Sequence, residues 1–241
     1  MEEVYAMKVR IKFSKQGHVK FIGHLDTMRY FQKAMRRAEL PVAFTGGYSP
    51  HMIMSFAAPL GVGVTSRGEY FDVELTETVP TSEIASRLDA VMAEGFSVIS
   101  ARQVEDAKAS KAMSLVAAAD YLVSFREGKE PKTVDWKEKF AQFLAQDEIL
   151  VSKKTKRSEK EMDIRPFIYE AELKEEGIFL RLASASANYT KPELVMESFL
   201  GWMGEELPEF ALMVERLEVY ADLDKEGTHK FVTLEALGEE V

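Results

Sequence analysis

The strongest constraint on the fold is a repeated alternation of strand-like and helix-like segments. In "YAMKVRIKFS" apolar and polar residues alternate, so that Val9, Ile11 and Phe13 share one face of a predicted strand. The segment "HLDTMRYFQKAMRRAEL" instead carries apolar residues at three- and four-residue spacing, from Met28 to Ala38, which predicts an amphipathic helix. "GEYFDVELTE" returns to strict alternation and predicts another strand.

Further segments complete a β-α-β-β-α-β order over residues 1–104. Short strands are predicted in "PVAFTGG" and "HMIMSFAAPL", a helix in "TSEIASRLDAVMAEG" and a strand in "FSVISARQV". A similar order recurs over 119–241, after an Ala-rich, helix-favouring connector at 105–118, and "FVTLEAL" is predicted to be a tail. The sequence therefore predicts an α+β protein with two tandem ferredoxin-like halves and antiparallel sheets.

Charge is spread unevenly along an acidic chain. The 241 residues carry 40 Asp and Glu against 31 Lys and Arg, a net charge of −9. Residues 1–50 nevertheless hold an excess of Lys and Arg, whereas 193–241 are strongly acidic. A local basic surface can bind phosphate even when the whole protein is acidic. The chain has no cysteine, which excludes disulfides and a Cys-held iron–sulfur cluster.

The first helix carries the most suggestive basic residues. Arg29, Lys33, Arg36 and Arg37 recur at i, i+4, i+7 and i+8, so they lie on one side of that helix. No Asp or Glu falls between Asp26 and Glu39 to neutralise them. The row is suited to an anionic backbone, because Arg can hold a phosphate with two donors. An ordinary solvated helix face is the alternative.

The loop "TGGYSPH" is the second candidate site. Gly46 and Gly47 permit a close backbone approach by a ligand, Tyr48 offers a ring for stacking, and Ser49 and His51 offer hydrogen bonds. A pair of glycines between two strands is equally what a hairpin turn requires, so both interpretations stay open.

Candidate catalytic groups are few. His24 and His51 could act as a base in metal-free RNA cleavage, and Asp26 is the nearest carboxylate. Asp26 lies in the first turn of the predicted helix, where a negative charge is also favoured structurally. His24 and Asp26 alone do not make a metal site, and no metal or cofactor is expected. No nucleophile motif is present, so an enzymatic activity stays an open alternative.

A second basic cluster occurs in "VSKKTKRSEKEMDIRP". Lys154, Lys156 and Arg165 are its candidates for contact with an anion, although a solvated hairpin tip explains them as well.

Residues 13–75 resemble the radical-SAM-linked protein family of bacteria. The pattern of that family appears here as Lys15, Gly17, Phe21, His24-Leu25-Asp26, Arg29, Arg36-Arg37-Ala38, Leu40-Pro41, Gly47, Pro50-His51, Leu60, Gly63, Glu69-Tyr70 and Asp72. "TKRSEKEMDIRPFI" and "KPE" resemble its second half. Departures from the pattern include Gly23 for Ser, Thr45 for Ser, Tyr48 for Phe, Ser49 for Asn and Met52 for Pro.

The resemblance implies a module that is fused to, or encoded beside, a radical SAM protein with a cobalamin-type domain. We therefore expect a non-catalytic accessory protein that presents a basic face to RNA or to the partner enzyme. The alternatives are an RNA-processing or RNA-modifying enzyme that uses His24 or His51, and a purely protein-binding module. The start "MEEVYAMKVRIKF" lacks the pattern of a signal peptide, so a cytoplasmic location is expected.

Overall fold

The alternating segments of the sequence form β-strands, and the two amphipathic segments of the first half form helices that cover them. A computed structural model describes residues 7–107, 110–154, 159–224 and 227–241. The fold is mixed α/β, built on large, mostly antiparallel β-sheet with few helices. The finer expectation of two tandem ferredoxin-like halves remains a prediction.

The elements follow one another in the order strand, helix, strand, strand, helix, strand at the start of the chain. They are β1 Met7–Lys15, α1 His24–Arg37, β2 Met54–Phe56, β3 Thr65–Leu75, α2 Thr81–Asp89, β4 Phe96–Gln103 and α3 Ala112–Leu115. The next are β5 Val116–Phe125, α4 Trp136–Leu144, β6 Leu150–Lys154, β7 Glu159–Asp163, β8 Ile168–Lys174, β9 Gly177–Ala183 and α5 Pro192–Trp202. The last are β10 Leu212–Asp222 and β11 Phe231–Thr233, and short 3₁₀ turns cover Gly17–Phe21, Arg165–Phe167 and Leu234–Leu237.

The contacts divide the chain into two units. The first unit comprises Met1–Ala117 and Arg216–Val241, and the second comprises Ala118–Glu215. The last segment of the chain therefore groups with the beginning of the chain. The domain boundaries expected from the sequence, 1–104 and 119–241, stay a prediction about domains.

In the first unit, β1 is hydrogen-bonded to β4 on one side and to β3 on the other, both antiparallel. β2 pairs antiparallel with β3, and β11 pairs antiparallel with β10. One face of this sheet is apolar and is covered by α1 and α2. Its buried side chains include Val9, Ile11 and Phe13 from β1, Phe31 from α1 and Ile84 from α2. Aromatic rings fill the centre, with Phe13 and Phe31 at a centroid distance of 4.5 Å.

The opposite face of the sheet in the first unit is polar and nevertheless largely buried; we call it the polar face. The register of β1 against β3 sets Lys8 opposite Glu74, Arg10 opposite Asp72, and Lys12 opposite Tyr70. This follows from the alternation seen in the sequence, because residues between the apolar positions must point to the other side.

The final segment covers part of the polar face, so the prediction that it forms a tail is wrong. Leu234 is fully buried, and its carbonyl oxygen accepts a hydrogen bond of 3.0 Å from Arg10. Gln103 and Glu239 exchange backbone hydrogen bonds of 2.8 and 2.9 Å.

The second unit is described separately. β9 pairs antiparallel with β5 and with β8, while β6 and β7 form a hairpin of their own. Phe140 and Phe143 of α4 pack against Phe199 of α5, with ring centroids 5.0 and 5.4 Å apart. Beside them, Glu205 accepts hydrogen bonds from the backbone amides of Lys132 and Thr133.

Candidate functional site

The outward side of α1 carries the predicted cations together. Arg29, Lys33, Arg36 and Arg37 are all exposed, whereas Phe31 and the other inward residues are buried. At 100° per residue these four positions fall within about 100° of arc. We call this surface the basic face. The helix keeps its cations outward because the apolar stripe is held against the sheet.

Local contacts constrain two of the four cations. Arg29 pairs with Asp26 at 3.2 Å, and both side chains are about two-thirds exposed, so this ion pair adds little stability. Arg37 donates a 3.2 Å hydrogen bond to the carbonyl oxygen of Val91 and lies over the ring of Tyr30. Both guanidinium groups keep further N–H donors for a ligand.

The predicted glycine loop forms a turn over residues 45–51, which we call the glycine turn. It closes between Phe44 and Met52, which form an isolated antiparallel bridge. The amide of Thr45 donates to the carbonyl oxygen of His51, and the amide of His51 donates to the hydroxyl of Thr45. Gly47 has a φ of 97°, a value that favours glycine, so the hairpin requirement accounts for it.

The other members of the glycine turn point into solvent. Gly46, Ser49 and His51 are exposed, and Tyr48 is fully exposed. An exposed tyrosine ring is available for stacking on a base or on a partner's side chain.

His24 is half-buried at the N-terminus of α1. Its ring meets Phe56 edge-on, with centroids 5.5 Å apart. It lines a small cavity of about 10 Å³ together with Lys15, Thr27 and Glu69. That volume holds about one water molecule, and the buried hydroxyl of Thr27 has no partner among the described residues. A bound water is the simplest occupant.

The walls of that cavity contain a buried ion cluster that the sequence did not reveal. Arg216 donates to Glu69 at 2.8 Å, and both side chains are at least 95% buried. Lys15 donates to the carbonyl oxygen of Ile22. Burial lowers the pKa of Lys15; the carboxylate of Glu69 opposes this effect, and the charge of Arg216 adds to it.

The polar face contains a second buried ion pair. Arg10 and Asp72 form two hydrogen bonds of 2.8 and 3.1 Å and are about 1% and 2% exposed. Arg10 also donates to the carbonyl oxygens of Leu234 and Ser110, and Asp72 accepts from the amide of Ala112. Every guanidinium nitrogen and both carboxylate oxygens of the pair therefore take part in a hydrogen bond, which offsets the cost of burying the two charges.

A third polar group surrounds Lys12. Its ammonium donates to Glu218 at 2.6 Å and to Glu235 at 2.8 Å, and Tyr70 donates to Glu218 at 2.7 Å. Burial works against the charge of Lys12, but the hydrogen bonds and charges of the two carboxylates outweigh it and raise the pKa of Lys12. Burial, with the charge of Glu218, raises the pKa of Tyr70.

The sequence of the chain matches a model of a known protein family. A family model described as "Uncharacterized protein conserved in bacteria (DUF2344)" matches residues 8–192. The chain belongs to the DUF2344 family. It is also similar to a solved structure described as "Crystal Structure of an Unknown Protein from Galdieria sulphuraria", at 14% identity over 87% of this chain and 96% of that chain, with a TM-score of 0.24. So low a score says nothing further about the DUF2344 fold. No curated protein matches significantly.

The second predicted basic cluster of this DUF2344 protein is described only in part. Arg165 is half-buried and donates to the carbonyl oxygens of Leu144 and Ile168 at 3.0 and 3.2 Å. Those bonds give its guanidinium a structural role within the second unit. Lys156 and the side chain of Lys154 lie outside the described residues, so contact of this cluster with an anion stays a prediction.

Two further features of the DUF2344 chain concern ligands and membranes. Among the residues that the structure describes, no group of three or more His, Asp or Glu is arranged to hold a metal ion. In the same residues no helix is both long enough and apolar enough to cross a membrane.

Sequence reasoning about this DUF2344 protein missed the buried cations of β1. A signal was present, because Lys8, Arg10 and Lys12 alternate with apolar residues as regularly as Tyr70, Asp72 and Glu74 do in β3. Charged residues are mostly exposed in soluble proteins, so these rows do not by themselves indicate burial. The sequence shows that one row is basic and that the other contains two carboxylates, but only the register of the two strands shows that the rows meet.

Proposed function

We propose that this DUF2344 protein is a non-catalytic accessory protein whose basic face binds RNA. The observation that carries this proposal is the exposure of Arg29, Lys33, Arg36 and Arg37 along one side of α1. Among the described residues only Arg29 of the four is paired with a carboxylate. An acidic protein in which three of these four cations have no carboxylate partner among the described residues has a local site for a polyanion.

The geometry of the row suits a phosphate backbone better than a single small anion. At 1.5 Å per residue, Arg29 and Arg37 are separated by about 12 Å along the helix axis. A run of that length can contact successive phosphates, which position a nucleic acid without reading its sequence. Tyr48 supplies an exposed ring of the kind on which single-stranded bases stack.

Salt-dependent binding tests the proposal. We expect the full chain to bind single-stranded RNA at low salt, with log affinity falling linearly as log salt rises. Arg36→Ala with Arg37→Ala should weaken binding and reduce that slope by about 1.4, because each phosphate contact to a single strand contributes about 0.7. Lys132 and Lys137 are exposed lysines of the second unit. The double variant Lys132→Ala with Lys137→Ala removes the same number of charges and should leave the salt dependence of RNA binding unchanged.

Two outcomes would count against RNA binding as the function. If RNA fails to bind at low salt, the proposal is wrong. RNA that is cleaved, with loss of cleavage in His24→Ala or His51→Ala, would favour the enzymatic alternative.

Exposed apolar side chains favour a second candidate, a protein-binding module. Phe21 and Leu25 are 64% and 59% exposed beside the start of α1, and Val62 is 65% exposed. The turn that carries Val62 is hydrogen-bonded there, from the amide of Gly63 to the carbonyl oxygen of Lys20. A cluster of exposed apolar residues is typical of a protein contact. By family resemblance the partner is a radical SAM enzyme.

Co-purification distinguishes this candidate from RNA binding. The partner enzyme should be retained by the full chain after nuclease treatment and lost with Phe21→Ser combined with Leu25→Ser. Loss of the partner on nuclease treatment alone would mean that RNA bridges the two proteins.

We also infer that each half of the chain is a ferredoxin-like variant. In the first unit the pairing order β4-β1-β3, with β2 on β3, supports this. In the second unit the order β5-β9-β8, with α4 and α5 between strands, supports it as well. Ferredoxin-like sheets recur among RNA-binding modules, which is an analogy of fold and not of site.

A further inference from the structure

Lys8 is a buried cation of β1 whose ammonium makes no hydrogen bond among the described residues. Its side chain is about 3% exposed, yet its ammonium has no hydrogen bond there. Asp106 is 3.7 Å away, beyond hydrogen-bond range, and is half exposed. Arg10 and Lys12, on the same strand and face, are both hydrogen-bonded to carboxylates.

A buried ammonium that has one long ion pair and no hydrogen bond among the described residues has to be explained. Burial of a charge without a hydrogen-bonded partner is costly, and proteins avoid it or use it for a ligand. Asp72 lines the same cavity as Lys8, but both of its oxygens are held by Arg10 and one also accepts from the amide of Ala112. The buried carboxylate of this cavity is thus already paired with another cation.

The ammonium lines a cavity that lies entirely within the first unit. The cavity has a volume of about 280 Å³, and its lining includes Lys8, Thr45, Met52, Ile53, Glu74 and Lys111. A volume of that order is close to the lower end of ligand pockets. Its lining combines two lysines, two carboxylates and two hydroxyls with methionine and aliphatic surface, and such a mixture of apolar surface and a few polar groups is typical of a small-molecule site.

We propose that this cavity binds a small organic oxyanion, a phosphate monoester or a carboxylate, between Lys8 and Lys111. Lys8 is the buried charge, Lys111 is exposed, and the hydroxyl of Thr45 can donate a further hydrogen bond. Met52 and Ile53 contact the carbon portion of the ligand.

Glu74 restricts the charge and the hydrogen-bonding groups of the ligand that can bind. It lines the same cavity, half-exposed, and faces Lys8 across the strand pair. Its carboxylate repels a molecule with many negative charges and accepts a hydrogen bond from a hydroxyl or amino group. The site therefore takes a compact anion that also carries a hydrogen-bond donor, and not a polymer such as the RNA assigned to the basic face.

Calorimetric titration of the full chain tests the proposal with three probes. Ribose 5-phosphate represents a phosphate monoester, malate represents a hydroxy-carboxylate, and ribose is the neutral control. We expect at least one of the two anions to bind and ribose not to bind. Lys8→Met should weaken that binding by about tenfold or more, and Lys111→Ala should weaken it by less.

Controls separate this site from the basic face and from misfolding. Arg36→Ala with Arg37→Ala should leave binding of the small anion unchanged, and so should Lys137→Met on the second unit. Without ligand, Lys8→Met should melt at the same or a higher temperature, because it removes a buried charge that has no partner. Lys111→Ala changes an exposed side chain, so it tests the site even if Lys8→Met fails to fold.

Three results would overturn the inference. They are the absence of binding by both anions at about 10 mM, an unchanged affinity in both lysine variants, and a loss of affinity in the basic-face variant alone.

Discussion

At the scale of residues, the first unit depends on buried charges that have to be satisfied together. Arg10 has three partners: the carboxylate of Asp72 and two backbone carbonyls. In a low-dielectric interior, such a cluster stabilises the fold only if every charged group in it is paired and hydrogen-bonded. A buried charge without a partner lowers the free energy of unfolding by more than a paired one raises it.

Asp72→Ala should therefore be strongly destabilising. It leaves the guanidinium of Arg10 buried without a counter-charge, and we expect a loss of about 3–5 kcal/mol in the free energy of unfolding. Urea denaturation measures this loss. Asp26→Ala is the matched control, because it breaks an exposed pair with Arg29 and should change the free energy by less than about 1 kcal/mol. Equal effects of the two variants would contradict the argument.

The contact between Lys12 and Glu235 should make the free energy of unfolding depend on pH in the acidic range. Burial raises the pKa of Glu235, but hydrogen bonds from Lys12 and Ser100 and the charges of Lys12 and Arg102 outweigh it and lower that pKa below 4.5. The unfolded chain then binds a proton that the folded chain does not. The stabilisation is complete above the unfolded pKa and is lost as the pH falls through the folded one.

Urea unfolding between about pH 6 and pH 3 measures this dependence. The free energy of unfolding should fall with pH over that range, and Glu235→Gln should make the fall shallower. A variant with the same slope as the parent chain would show that Glu235 does not titrate in this way.

At the scale of elements, α1 shows what the sequence could and could not predict. Its start, its apolar stripe and its outward cations were predicted, because a helix repeats over a short distance and its own residues show the period. Its end lies at Arg37, three residues before the predicted one. What the cations bind was not predictable, since the partner lies outside the helix. His24 was predicted as a site residue, but its neighbours Lys15 and Glu69 belong to other elements, so the sequence did not join them.

The N-terminus of α1 offers a test of local structure. Gly23 is its N-cap residue, with an extended backbone and no side chain to accept a hydrogen bond. A Cβ added there meets nothing within 4 Å. Gly23→Ser should raise the free energy of unfolding by about 0.4–1 kcal/mol, through a new cap and a less flexible unfolded chain.

Gly95→Ser should have the opposite effect and lower the free energy of unfolding. Gly95 has a φ of 94°, and an added Cβ would lie 2.7 Å from the carbonyl oxygen of Gln16. That variant should be destabilised, because both the backbone conformation and the close approach require glycine. If both variants shifted stability in the same direction, these local accounts would be wrong.

At the scale of the whole molecule, the sequence predicted the coarse α/β class but misplaced its last segment. "FVTLEAL" is too short to show a period, and nothing within it indicates that Leu234 meets Arg10, which lies 224 residues away in sequence. Strand alternation is visible locally, whereas the pairing of distant segments is not. The polar face was missed for the same reason.

Leu234→Ala tests the importance of that segment. Leu234 is fully buried against the first unit, and its truncation should cost about 2–5 kcal/mol. Hydrogen exchange should show faster opening of β1 amides in this variant. Exchange that accelerates only at residues 231–241 would mean that the segment frays independently of the sheet it covers.

The chain order has a consequence during synthesis. The first unit needs Arg216–Val241, yet a stretch of roughly a hundred residues, Ala118–Glu215, is translated in between. A ribosome adding about 5–20 residues per second takes on the order of 5–20 s to make that stretch. Throughout this interval Arg10 and Lys12 have been synthesised, but their partners Glu218, Leu234 and Glu235 have not. The first unit therefore cannot complete its polar face until the last residues of the chain have been made.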